Sequence, residues 1–111
     1  AEVKASIEEM KLTMVRNFDE MMECCRAGVP IPIEDRIRYR YDSAVVADRS
    51  LALSGKMLKA SGSGGIRKGS ELLSLHLDIL CSQAHVANHS IPFANNLGGV
   101  MFGAENVDYA I

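Results

Sequence analysis

Apolar side chains recur at Val3, Ile7, Met10, Met14, Phe18, Met21 and Cys25, a mean spacing close to 3.6 residues. Lys4, Glu8, Lys11, Asp19, Glu23 and Arg26 fall on the opposite side, so residues 2–27 read as an amphipathic helix. Gly28 suits its C-cap, and Pro30 and Pro32 in "AGVPIPIED" prevent continuation. The following "IEDRIRYRYDSA" is ambiguous, because Ile37, Tyr39 and Tyr41 alternate with arginines as in a half-exposed strand. No turn signal interrupts the chain from Pro32 to Ala60, however, and that run is too long for one strand. Ile33, Ile37, Tyr41, Ala44, Leu51, Gly55 and Leu58 also form a helical stripe, which predicts a helix over 33–59. From Ala44 to Leu58 little but Asp48, Arg49 and Lys56 is charged, so this is expected to be the most buried helix.

"KASGSGGIRKGS" ends that helix. Ser70 or Gly69 can cap a third helix with Glu71 in its first turn, and an apolar pattern from Leu72 to Val86 carries it over 70–88. The tail 89–111, with Pro92, Asn95-Asn96 and Gly98-Gly99, is expected to be mostly irregular, its Phe93, Leu97, Met101, Phe102 and Tyr109 lying against other structure. The expectation is an all-α single domain, residues 1–111, with three long helices. Each helix wants cover on more than one side, so further surface must come from another helix of a parent chain or from another subunit.

Composition narrows the class. The 111 residues suffice for one domain, and 48% apolar with 23% charged residues is ordinary for a water-exposed globular chain. The formal net charge of −2 gives no reason to expect nucleic acid or acidic lipid as a partner. No apolar run approaches the ~20 residues of a membrane span, and nothing reads as a signal peptide. Cys24, Cys25 and Cys81 lack zinc or disulfide spacing and are read as small apolar fillers in a reducing, cytoplasmic compartment. The chain starts at Ala1 without an initiator Met, as expected of a processed or excised piece.

Four stretches carry candidate chemistry. "ASGSGG" is either a flexible spacer or a turn whose glycines let the backbone approach a phosphate or ring, although no phosphate-loop signature is present. "RIRYRY" interleaves bases and aromatics as single-strand binders do, but the negative net charge favours arginines that are solvated or paired with Glu34, Asp35 and Asp42. His76, His85 and His89 lack an HExxH frame, so no metal is expected. Asp78 and His85 stand seven residues apart, two helical turns or about 10 Å, on one face of the expected third helix. They are either a packed structural pair or part of a site.

The order of these features resembles the C-terminal helical domain of the acyl-CoA dehydrogenase superfamily, and within it the two-component, flavin-dependent aromatic hydroxylases. The match is carried by Arg40, Asp42 and Ala44 in "RYRYDSA", by "LKASGSGGI" from Leu58 to Ile66, by "SELLSLHLDI", and by "AHVANHS" about two turns later. The resemblance implies three of the four helices of an up-down four-helix-bundle-type domain, and a native glycine turn whose Ser61, Gly62, Ser63 and Gly64 contact flavin, often a neighbouring subunit's. It further implies that His85 faces a bound phenol beside the flavin. The cofactor would be reduced flavin, FMN or FAD, held mainly by parts absent from this chain and supplied by a separate flavin reductase. The assembly would be a homotetramer, and the 111 residues alone would be inactive. Two departures stand out: the arginine usual before the aspartate is Leu77, and an upstream arginine is Ser74. Where dehydrogenases of the superfamily often carry a Glu-Gly-Thr-like segment, this chain reads His85-Val86-Ala87. That weighs against acyl-CoA oxidation, the first alternative; a non-enzymatic helical oligomerisation module is the second. An imidazole suits phenol hydroxylation, because a base near neutral pH raises the ring's nucleophilicity.

Overall fold

The computed structural model describes residues 1–110, and among them every regular element is helical. Helix α1 spans Glu2–Ala27, α2 spans Ile33–Ala60, α3 spans Glu71–Ser82 and α4 spans Ser90–Met101. Short 3-10 turns occupy Gly62–Gly64 and Val86–Asn88. Helix α1 closes as its sequence predicts: Gly28 takes φ 67°, and the amides of Gly28 and Val29 return to the carbonyls of Cys25 and Cys24. Helix α3 opens on Ser70, whose hydroxyl accepts the Leu73 amide at 3.3 Å.

Helix α2 is the centre on which α1, α3 and α4 pack. It supplies Ile37, Tyr39, Ala44 and Leu53 to the core, to which α1 adds Met10 and α4 adds Phe93. Side-chain pairs step forward along α1 as they step backward along α2: Glu2 with Lys56, Glu9 with Arg49, Asn17 with Asp42, Glu20 with Arg38. The two helices are therefore antiparallel. The radius of gyration is 17.0 Å, where a globular chain of this length has about 13 Å. So extended a shape leaves large apolar groups in water, among them Leu12, Phe18, Ile91 and Phe102.

Two expectations need correction. The third helix ends at Ser82 rather than near residue 88, because side chains capture backbone groups there. The Ser82 hydroxyl donates to the Ile79 carbonyl, and Asn88 Nδ2 donates to the Ser82 carbonyl at 2.8 Å. Such local bonds compete with the helical ladder. His85 consequently stands on the turn that follows α3, not on its face.

The tail is the second correction. It contains a twelve-residue helix, α4, where irregular structure is expected. Pro92 falls in the first turn, where its missing N–H costs nothing. The glycine pair is held helical because Phe93 and Asn96 are buried on one face of α4. Asn96 also ties down the remainder: its Nδ2 donates to Asn106 Oδ1, and its Oδ1 accepts the Val107 amide at 2.9 Å. Asp108 then pairs with Arg40 of α2 at 3.3 Å, and that guanidinium stacks on Phe93. The last tail residue, Ile111, lies outside the described residues.

Candidate functional site

The glycine turn follows α2 directly. Ser61 donates its hydroxyl to the Leu58 carbonyl at 2.6 Å, closing the helix, so it offers a ligand only lone pairs. Gly62 takes φ 65°, and neither it nor Gly64 has an atom within 4 Å of the place a Cβ would occupy. Ser61, Gly62, Ser63 and Gly64 are all exposed. A planar ring or a phosphate can therefore approach the main chain here, and in access the turn fits the flavin contact that the resemblance implies. Gly65 does a different job. A Cβ on it would lie 1.7 Å from Ser61 Oγ and 2.8 Å from Ser61 Cβ, so only glycine lets the turn fold back on the end of α2.

The second candidate is the turn from Gln83 to His89. His85 is exposed, and its Nδ1 accepts the Ala87 amide at 3.1 Å. Asn88 holds the Ser82 carbonyl, and His89 Nε2 lies 3.0 Å from the Gln83 carbonyl. The Ser90 hydroxyl donates to Asp48 of α2, anchoring the far end. Asp78 is exposed on α3, and no hydrogen bond joins it to His85 among the described residues. His76 faces α2 instead, its Nδ1 2.8 Å from the hydroxyl of buried Ser54. Among the described residues no group of His, Cys, Asp and Glu could hold a metal ion.

The two candidates are not brought together. One precedes α3 and the other follows it, and twelve helical residues separate their ends by roughly 18 Å. A single ring cannot touch both within one copy of the chain.

Two arginines of "RIRYRY", Arg38 and Arg40, are engaged with carboxylates on several elements. Arg38 pairs with Glu20 of α1 and with Asp35, and Arg40 pairs with Asp108 of the tail. Tyr39 is buried and donates its hydroxyl to Glu20 at 2.7 Å. Hydrogen bonds from Arg38 and then Tyr39 hold the Glu20 carboxyl below its usual range. Burial first, and the Glu20 carboxylate second, push the Tyr39 phenol up to about 12. Beside this network a groove of about 350 Å³ runs between α1 and α2, lined by Met14, Phe18, Met21, Ile31, Tyr39 and Arg40 among others.

Residues 1–90 match the family described as acyl-CoA dehydrogenase, C-terminal domain. The chain belongs to that family. Two solved structures share its fold over 97% of its length. The HsaA monooxygenase from M. tuberculosis is 25% identical with a TM-score of 0.91. The 3-HSA hydroxylase from Rhodococcus sp. RHA1 is 24% identical with a TM-score of 0.92. This acyl-CoA dehydrogenase C-terminal domain spans 28% of the length of each. Among curated proteins no sequence matches it significantly.

Within the family domain, the sequence pattern points to the turn residues but not to those that shape them. Gly65 is legible as part of a glycine run, yet its close approach to Ser61 is a three-dimensional fact. Asn88 stands in the sequence as the last residue of an expected helix. Asn17 carries no signal at all, since an asparagine in an amphipathic stretch ordinarily faces water; here it is 1% exposed and joins Arg16, Arg38 and Asp42.

Proposed function

We propose that this chain is the C-terminal domain of a flavin-dependent monooxygenase that hydroxylates a phenolic or polycyclic aromatic substrate with reduced flavin and O2. The observation that carries the reading is its likeness to the HsaA monooxygenase over 97% of its length, at a TM-score of 0.91. In the longer protein the four helices belong to an up-down bundle-type domain, and residues 1–111 form a single unit of it. Reduced flavin, FMN or FAD, would activate O2 for oxygen transfer when bound, and the remainder of the protein would hold most of it.

This chain contributes at two places. His85 engages the phenolic oxygen of the substrate, and the exposed turn from Ser61 to Gly64 lies against flavin. The separation of roughly 18 Å along α3 favours two different flavins, one for each end of the helix. That arrangement requires neighbouring subunits. A homotetramer meets it, and the apolar side chains left in water, such as Phe18 and Leu12, give the surface to be covered. A separate reductase supplies the reduced flavin, and the assembly is cytoplasmic. The isolated 111 residues are inert.

The test uses the full-length gene product with a flavin reductase, O2 and a panel of phenols. Incorporation of one oxygen atom into a phenol, read by mass spectrometry, is the expected result. Reduction of bound flavin by an acyl-CoA, with no phenol hydroxylated, would replace this reading with acyl-CoA oxidation. A full-length protein that binds no flavin would favour the oligomerisation module.

A further inference from the structure

We propose that His85 serves the substrate oxygen as a hydrogen-bond donor through Nε2–H, and that Asn88 is a positioning residue that sets this tautomer through the main chain. The inference rests on the assignment of His85 to the phenolic oxygen made above, and it decides what the imidazole does there.

The other ring nitrogen fixes the choice. Nδ1 accepts the backbone N–H of Ala87 at 3.1 Å. A nitrogen that accepts a hydrogen bond carries a lone pair and no proton, so the neutral ring holds its proton on Nε2. Nε2 has no hydrogen-bond partner among the described residues, and His85 is exposed, so Nε2–H is the ring group that this chain leaves open. A base acting through Nε2 would need the opposite tautomer. That would bring an Nδ1–H face to face with the Ala87 N–H.

The Ala87 amide is itself held in place. The Asn88 amide returns to the His85 carbonyl at 2.9 Å, and the Asn88 side chain spans back to the Ser82 carbonyl at the end of α3. His89 reaches the Gln83 carbonyl at 3.0 Å, and Ser90 is bonded to Asp48 on α2. The turn is therefore tied to α3 behind it and to α2 ahead of it, and Ala87 N–H points at the ring as a consequence. A fixed donor stabilises negative charge on oxygen better than it stabilises a neutral hydroxyl. The form of substrate recognised is thus the phenolate, whose ring is the better nucleophile. The phenolic proton has gone to solvent, because the phenolate form is the one bound.

Glutamine tests this directly, because its side-chain amide places an N–H near the position of Nε2–H but is no base. In the full-length enzyme His85→Ala is expected to lower kcat for hydroxylation by about 10²–10³-fold, the usual effect of removing one such donor. His85→Gln is expected to recover most of that loss, to within about tenfold of the parent enzyme on the same scale. Equal losses in both variants would overturn the donor role while leaving His85 in the site. A parent-like rate in His85→Ala would instead remove His85 from the chemistry, and with it this part of the functional reading. For Asn88, the Asn88→Ala change should lower kcat when His85 is present and add nothing in the His85→Ala background. An equal further loss in both backgrounds would show that Asn88 does not act through His85. The glutamine comparison stands by itself if Asn88→Ala fails to fold.

Discussion

Replacing Asn17 by leucine should loosen α1 from α2. Asn17 is 1% exposed, and both polar atoms of its side chain are hydrogen-bonded. Its Oδ1 accepts from Arg16 at 3.0 and 3.2 Å and from Arg38 at 3.1 Å, and its Nδ2 donates to Asp42 at 2.9 Å. Leucine has similar volume but neither function. Three partners each lose a charge-assisted contact, which at full value is worth about 1.5–3 kcal/mol apiece. That sum is an upper limit, because each partner has recourse. Arg16 is 52% exposed and keeps Asp42 as well as water, and Arg38 keeps Glu20 and Asp35. Asp42 is the worst placed, being 18% exposed and losing its shortest donor. Burial of the leucine side chain returns part of the loss, so a net destabilisation of about 2–4 kcal/mol is expected. Urea unfolding of the chain, followed by circular dichroism, measures it, with Asp42→Ala and the double variant completing a thermodynamic cycle. A loss below about 0.5 kcal/mol, or strict additivity in the cycle, would mean that the network is ornamental and that apolar packing alone seats α1.

The same network sets a pH response. The folded Glu20 carboxyl titrates below 4.5, so its contribution is present above that value and declines as pH falls through the lowered one; Glu20→Gln should remove this part of the acid-side loss in an unfolding series. Tyr39 has the opposite sign. Its folded value of about 12 lies above 10, so its contribution is complete below pH 10 and is lost as pH rises through about 12; ultraviolet titration of the phenol should move downward in Glu20→Gln. At the glycine turn, Gly65→Ala drives a methyl into Ser61 and should cost about 1–3 kcal/mol, as overpacking does. Adding Ser61→Gly should restore most of that stability, and a thermal midpoint unchanged by Gly65→Ala alone would contradict the steric role assigned to this glycine.

Local pattern alone determined much of this domain. The period of 3.6 in residues 2–27, the Gly28 stop with its prolines, the Ser70 cap and the low charge of the second half of α2 are properties of neighbouring residues, and all are visible in the chain. A helix boundary of that kind depends on bonds made within four or five positions. Only the tertiary structure decided the rest. The Gly98-Gly99 pair is a poor helix former, and α4 exists because Phe93 and Asn96 have α2 and the tail to bury against. The end of α3 turned on whether Asn88 reaches the Ser82 carbonyl six residues back, a choice that local propensity does not settle. His85 moved from a helix face to a turn for that reason, and with it the nitrogen that it presents. Asn17 shows the limit most clearly. Its burial depends on Arg38 and Asp42, which lie more than twenty residues away in sequence and meet it only because α1 and α2 run antiparallel.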